Sequence, residues 1–173
     1  MPSARSTTPA AASLAVFSRP RTGEDSLPPG VGRALHVAPD ERLSQSRRVE
    51  LGTARGYLWP STTGVCYLVP VGGGCMPLRR IERRGLDVAV LSQVDPATGR
   101  YERSRVFGIV RDGIRSVRLL LRGAGPVTVG VDDNAFYLPR LREPPLAVRW
   151  TDGRGVHAVR IARLTPHAIE ALR

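Results

Sequence analysis

The stretch V-F-G-I-V-R-D-G-I-R-S-V-R-L-L-L-R-G-A-G-P-V-T-V-G-V-D-D-N-A-F-Y, Val106–Tyr137, decides the fold class. Its three short apolar runs are separated by R-D-G, R-G-A-G-P and D-D-N, a pattern typical of antiparallel strands joined by turns. In the middle run Val117, Leu119 and Leu121 fall on one face of the predicted strand, whereas Ser116, Arg118 and Arg122 fall on the other. The next run, 127–131, repeats that spacing. These residues predict the nucleus of a β-sheet domain.

Further predicted strands lie on both sides of this nucleus. They cover residues 49–59, 65–69, 86–94, 100–110, 146–150 and 156–161. D-P-A-T-G at 95–99 is a hairpin signal because Pro and Gly supply the backbone angles of a turn. V-G-G-G at 71–74, in contrast, predicts a flexible loop. About eight or nine strands with frequent turn signals predict a mainly β fold, an antiparallel β-sandwich or barrel-like domain with one or two short peripheral helices.

The chain divides by composition into an arm and a domain. Residues 1–33 are rich in Pro, Ser, Thr, Gly and Arg, which predicts a flexible N-terminal arm. Phe17 and Leu27 within the arm are apolar side chains that could dock on the rest of the protein. Residues 34–173 are predicted to form a single β-rich domain.

Two short helices are predicted at the borders of this domain. Pro39, two acidic residues and two closing arginines suit a helix over 39–47, since acids favour the N-terminal end and bases the C-terminal end. A second helix is predicted at the C-terminus, with Thr165 as its N-cap, Pro166 at its first position and Arg173 at its end.

Net charge raises the question of an anionic partner. The formal net charge is +11, and arginine supplies all 26 basic residues because the chain contains no lysine. Codons for Arg, Ala, Gly and Pro are GC-rich, so genome composition accounts for arginine in place of lysine but not for the excess of bases over the 15 acids. That excess is an electrostatic property of the protein and favours anionic partners.

The densest basic cluster lies in L-R-R-I-E-R-R-G and comprises Arg79, Arg80, Arg83 and Arg84. On a helical turn these side chains would form one patch, whereas on a strand they would point to both faces. One interpretation is a solvated charged sheet edge, since arginines on edge strands block edge-to-edge pairing. The alternative is a binding surface for nucleic acid or another anionic polymer. Single-strand binders also expose aromatic residues, but Trp59, Phe107 and Trp150 are predicted to lie in the core.

The two cysteines leave two alternatives open. Cys66 and Cys75 are separated by eight residues, which fits neither a C-x-x-C redox motif nor a zinc knuckle. A disulfide between them would restrict the unfolded chain by roughly 2–3 kcal/mol and would indicate an oxidising compartment. The alternative is a pair of separate buried thiols in a cytosolic protein. The apolar run 10–17 is a poor signal peptide because Ser18-Arg19-Pro20 stands where a cleavage site would lie.

Catalytic and metal motifs are not evident. Cys66 as a nucleophile would need a histidine base, and His36, His157 and His167 are the only histidines. His157 lies in an alternating strand, where a half-buried structural role is the ordinary explanation. The histidines lack metal-ligand spacing, and D-D-N at 132–134 is typical of a turn. The sequence therefore predicts no enzyme, no cofactor and no metal site, with a cysteine-dependent enzyme as a remote alternative.

Several segments in a consistent order resemble an uncharacterised family of proteins from high-GC Gram-positive bacteria. They are F-S-R-P-R-T-G-E-D-S-L-P, Y-L-W-P-S-T-T-G-V-C-Y-L-V-P with the later G-G-G-C, V-F-G-I-V-R-D-G-I-R-S-V, V-G-V-D-D-N-A-F-Y and V-R-W-T-D-G. Members of that family look like exported or membrane-anchored β-rich proteins with two cysteines around a Gly-containing loop, which matches Cys66 and Cys75. The chain departs from the family by lacking a hydrophobic export segment upstream of Phe17. The resemblance implies no activity and no catalytic residues.

Together these features predict a non-catalytic, extracytoplasmic structural or interaction module. Its partner would be a protein or a cell-surface component, with no small-molecule cofactor and no apolar run of the length of about 20 residues that a membrane span needs. The alternative function is a binding module for nucleic acid or another anionic polymer.

Overall fold

Strands dominate the structure, a computed structural model that describes residues 13–31, 41–70, 72–95 and 97–161. In chain order the strands are β1 (Arg47–Leu51), β2 (Ala54–Pro60), β3 (Gly64–Val69), β4 (Gly72–Pro77), β5 (Leu86–Val94), β6 (Tyr101–Val110), β7 (Ser116–Leu120), β8 (Val127–Gly130), β9 (Ala135–Leu141), β10 (Ala147–Asp152) and β11 (Gly155–Arg160). The described helices are α1 (Ala15–Ser18) and α2 (Leu78–Arg84), with 3-10 turns at Gly23–Asp25 and Glu41–Gln45.

The strands form three antiparallel sheets. Their strand orders are β1-β2-β3-β4, β11-β10-β7-β8 and β5-β6-β9. None of the three closes into a barrel within the described residues, so the predicted mainly β, antiparallel fold is confirmed in its open, sandwich-like form.

The chain also falls into two compact units. Unit 1 comprises residues 1–87, 109–112 and 132–135, and unit 2 comprises 88–108, 113–131 and 136–173. The sheet β1-β2-β3-β4 belongs to unit 1, and the sheet β11-β10-β7-β8 belongs to unit 2. The predicted division into an arm, 1–33, and one domain, 34–173, stays a prediction.

The predicted nucleus, residues 106–137, is divided between two sheets, since β6 and β9 belong to one sheet and the β7–β8 hairpin to another. Val117 and Leu119 on β7 are fully buried, as the alternation predicted, and Val117 pairs with Val129 on β8. Asp133 and Asn134 have φ of 45° and 63°. Positive φ at both central residues is the geometry of the two-residue turns that join antiparallel strands, so the D-D-N turn is confirmed.

The predicted strand 49–59 is a hairpin instead of one strand. β1 ends at Leu51 and β2 begins at Ala54, and Leu51 pairs with Ala54 across the turn. Gly52 has φ of 69°, a conformation that glycine adopts without steric cost. Glycine at the first position of a two-residue turn is a hairpin signal, which the prediction of one strand overlooked.

The predicted helix at 39–47 is shorter in the structure. Residues 41–45 form a 3-10 turn and β1 starts at Arg47, whereas Pro39 and Asp40 lie outside the described residues. The predicted C-terminal helix after Thr165 also lies outside them.

Residues 13–31 contribute to the core of unit 1. Leu14 and Val16 are each 1% exposed and Phe17 is buried, whereas Leu27 is half-buried. Burial of apolar side chains at this density ties the segment to the rest of the unit.

Asn134 anchors this segment through its side chain. Its Oδ1 accepts a hydrogen bond from the backbone N–H of Val16 (2.9 Å), and its Nδ2 donates to the backbone oxygen of Val110 (3.1 Å) and to Asp112 Oδ1 (2.7 Å). The same Asp112 oxygen accepts from the backbone N–H of Ala15 at 2.9 Å. The single Asn of the chain therefore joins α1, the end of β6 and a tight turn.

Asp25 is a second anchor, and it is only 1% exposed. Its carboxylate accepts hydrogen bonds from both terminal nitrogens of Arg19 (3.1 and 2.9 Å), from the backbone N–H of Thr22 (2.6 Å) and from the backbone N–H of Arg48 on β1 (2.8 Å). Burial alone would raise the pKa of Asp25, but the hydrogen bonds from Arg19, Thr22 and Arg48 outweigh it and hold the pKa well below its ordinary value.

Replacing Asn134 tests the first anchor. Asn134→Gly keeps the positive φ but leaves the Val16 N–H and the Val110 oxygen without this partner, so the free energy of unfolding should fall by about 1–3 kcal/mol. Asn134→Ala should cost about 1 kcal/mol more, since a β-carbon is disfavoured at positive φ. Urea denaturation measures both values. If Asn134→Gly is as stable as wild type, the side-chain hydrogen bonds of Asn134 contribute nothing to the free energy of unfolding.

Asp25→Asn tests the second anchor and its dependence on pH. The substitution removes the buried carboxylate from the ion pair with Arg19, which keeps the longer contact with Asp133 at 3.4 Å. The free energy of unfolding at neutral pH should therefore fall by on the order of 3 kcal/mol. Because the folded-state pKa is lowered, this stabilisation is fully present above the unfolded-state pKa of about 3.9 and disappears as the pH falls below it. The difference between variant and wild type should therefore shrink in acid.

The control is Glu24→Gln, the neighbouring acid, which pairs with Arg48 at 2.6 Å but is 68% exposed. An exposed pair contributes at most about 1 kcal/mol, so this variant should stay close to wild type. If the free energies of unfolding of Asp25→Asn and wild type differ by the same amount at neutral and acid pH, the ionised carboxylate of Asp25 is not the stabilising group.

Candidate functional site

The two cysteines are bonded to each other across a pair of neighbouring strands. Cys66 on β3 lies directly opposite Cys75 on β4, and a disulfide joins them. The predicted pairing is therefore confirmed. With its sulfur in this bond Cys66 has no thiolate to act as a nucleophile, and among the described residues no free cysteine remains.

The glycines before Cys75 form a strand and not the predicted flexible loop. β4 pairs with β3 over its whole length, with Gly74 opposite Tyr67 and Gly73 opposite Leu68. Glycine weakens a strand in isolation, so the local sequence gave no strand signal. The ring of Tyr67 covers Gly74, where an added β-carbon would lie 3.1 Å from the phenol oxygen. Burial, with the negative charge of Asp87, raises the pKa of Tyr67.

One end of the disulfide lies in the core and the other faces solvent. Cys66 is 4% exposed and lies opposite Trp59 on β2, which is 3% exposed, whereas Cys75 is exposed. Residues directly opposite on antiparallel strands have β-carbons about 4.5–5.5 Å apart. Trp59 is therefore a fluorescent reporter next to a bond that solutes can approach from the Cys75 side.

The predicted arginine cluster lies on α2. Leu78 and Ile81 are the buried side chains of this helix (6% and 0% exposed), which leaves its other face to solvent. The exposed residues include all four members of the cluster, Arg79, Arg80, Arg83 and Arg84. The interpretation as a charged edge strand is wrong, because the cluster stands on a helix where three- and four-residue spacings bring side chains together. We call these four residues the α2 patch.

The C-terminal end of α2 suits two of its four positive charges. Gly85 closes the helix with φ of 91°, and its N–H donates to the backbone oxygen of Ile81 at 2.7 Å. Arg83 and Arg84 fall in the last turn, where the helix dipole favours positive charge.

One member of the α2 patch has a carboxylate partner. Arg80 pairs with Asp87 at 3.2 Å, and within the described residues no carboxylate pairs with the other three. Three guanidinium groups on one face are thus available for an anion.

The described histidine has a structural role. His157 on β11 lies opposite Trp150 on β10; their rings stack with centroids 5.3 Å apart, and His157 Nε2 is 3.0 Å from Asp152 Oδ1. The His157 side chain is 33% exposed, which agrees with the prediction of a half-buried histidine. His36 and His167 lie outside the described residues. No group of three His, Cys, Asp or Glu side chains that could hold a metal occurs in the described part of the chain.

Comparison of the chain with family models, with curated proteins and with solved structures found no match. Among the described residues, no helix has the length and apolar character needed to cross a membrane.

Three polar residues that organise unit 1 were not identified by the sequence patterns. They are Asp25, Arg47 and Asn134. Arg47 donates to four backbone oxygens, those of Phe17, Arg19, Gln45 and Ser46, at 2.9–3.4 Å. The only available signal was the specific character of F-S-R-P-R-T-G-E-D and the presence of a single Asn, neither of which shows which partners meet.

Removal of the disulfide should destabilise the protein without changing its fold. The Cys66→Ala/Cys75→Ala double variant should lose roughly 2–3 kcal/mol of unfolding free energy, because the unfolded chain regains the freedom of a short loop. Urea denaturation followed by Trp fluorescence measures this loss. Reduced wild type should show a similar loss and an altered Trp59 emission, and an unchanged midpoint after verified reduction would contradict the prediction.

Proposed function

We propose that the protein is a non-catalytic, extracytoplasmic structural or interaction module. The observation that supports this proposal is the Cys66–Cys75 disulfide, since such bonds persist in oxidising compartments and are rare in reducing ones. A small β-hairpin closed by a covalent bond keeps its shape outside the cell, where chaperones and reductants are scarce. The partner is a protein or a component of the cell surface.

The test is a count of free thiols in protein taken from its native host without reductant, combined with cell fractionation. The proposal is supported if neither cysteine reacts with a thiol reagent and the protein is recovered outside the cytoplasm. Two reactive thiols in a cytoplasmic fraction would refute it. The Cys66→Ala/Cys75→Ala variant provides the zero-thiol reference.

A second candidate function is the binding of nucleic acid or another anionic polymer through the α2 patch. Arg79, Arg83 and Arg84 supply exposed positive charge on one helix face, and the chain has a net charge of +11. A polyanion that contacts these residues releases its condensed counterions, so binding should weaken steeply as salt rises.

The matched experiment compares elution of wild type, Arg79→Gln/Arg83→Gln/Arg84→Gln and Arg122→Gln from immobilised heparin and DNA. Arg122 is an exposed arginine outside the α2 patch and serves as the control. The triple variant should elute at clearly lower salt and lose about one unit of salt slope for each contact removed. Equal elution of the triple variant and wild type would exclude the α2 patch as the binding surface.

A further inference from the structure

A groove of about 450 Å³ lies on the sheet β11-β10-β7-β8. It belongs to unit 2 and is separate in sequence from the α2 patch. The side chains that give it chemical character are three arginines, two hydroxyls and one apolar residue: Arg115, Arg118, Arg149, Ser116, Thr151 and Val156.

Two of the arginines stand side by side. Arg118 on β7 pairs in register with Arg149 on β10. Residues directly opposite on antiparallel strands project to the same face, with β-carbons about 4.5–5.5 Å apart, and like charges in that position destabilise the sheet. Both side chains are exposed, so each guanidinium can turn toward a ligand.

No acidic residue compensates this pair along its row. Across the sheet the row continues from Arg118 to Thr128 on β8 and from Arg149 to Ala158 on β11, both uncharged. Within the described residues no carboxylate pairs with Arg115, Arg118 or Arg149. The row formed by Thr128, Arg118, Arg149 and Ala158 therefore carries two adjacent positive charges and no acidic residue.

The flanking residues add hydrogen-bond donors without an aromatic surface. Ser116 and Thr151 line the groove and are exposed, so their hydroxyls can donate to a bound anion. Trp150 also lines the groove, but it is only 3% exposed, so its ring is not available to stack on a ligand. Val156, 60% exposed, offers an apolar contact beside the charged centre.

The geometry points to a binding site for a phosphoryl group. Guanidinium groups match phosphate oxygens through paired N–H donors, and three arginines with two hydroxyls exceed what the two oxygens of a carboxylate can accept. The lack of an exposed ring favours an inorganic phosphate or the phosphate ester of a non-aromatic compound over a nucleobase-bearing ligand. This inference is independent of the proposed function and of the α2 patch.

The test is calorimetric titration with inorganic pyrophosphate and with glycerol phosphate at constant ionic strength. Wild type should bind, and Arg118→Gln and Arg149→Gln should each bind roughly tenfold to a hundredfold more weakly, the effect of losing a hydrogen bond to a charged group. Arg122→Gln, an exposed arginine outside both the groove and the α2 patch, should bind like wild type. Tighter binding of glycerol phosphate would identify an ester as the ligand, and tighter binding of pyrophosphate an inorganic phosphate.

Thermal unfolding gives a second readout that separates binding from folding. Pyrophosphate should raise the Tm of wild type because it binds only the folded state. Arg118→Glu places an acid opposite Arg149, so its Tm without ligand should equal or exceed that of wild type while the pyrophosphate effect disappears. The inference is overturned if wild type binds neither compound or if the Arg118 and Arg149 variants bind like wild type.

Discussion

A buried carboxylate must be surrounded by donors, and this constraint organises unit 1. Transfer of an ionised group into a protein interior is costly unless hydrogen bonds and opposite charge replace its water. Asp25 meets the requirement by drawing Arg19, Thr22 and the amide of Arg48 around its two oxygens. Since Arg48 belongs to β1, the residues before the first strand are fixed to the sheet by polar contacts as well as by the buried side chains of α1.

The alternation of apolar residues predicted the strands well because burial on one face of a sheet leaves a mark with a period of two. β5 begins and ends at the predicted residues, and the buried positions of β7 follow the predicted pattern. The strand predictions are wrong where the local sequence pattern does not reflect the tertiary structure. The turn at Gly52 divides a segment that was predicted as one strand, and β4 owes its strand conformation to its partner β3 and not to its own glycines.

The candidate sites were predictable only in part. The disulfide and the cluster on α2 involve residues close in sequence, so spacing alone could propose them. Arg118 and Arg149 are far apart in sequence, and only the register between β7 and β10 brings them together. Asp25 and Asn134 likewise act through partners that no local pattern identifies. A chain with 26 arginines offers many candidate cations, so composition cannot say which of them lack a counter-ion.

The position of the disulfide has a consequence for how the sheet opens. β4 is one of the two edge strands of its sheet and carries three glycines, which are features of a segment that frays in fast local openings. The covalent link at Cys75 ties the middle of this strand to β3, whose own side chains lie mostly in the core. Separation of the edge at Cys75 therefore requires disruption of an interior strand, and we expect the amides around this bond on β3 and β4 to exchange their hydrogens as one cooperative segment.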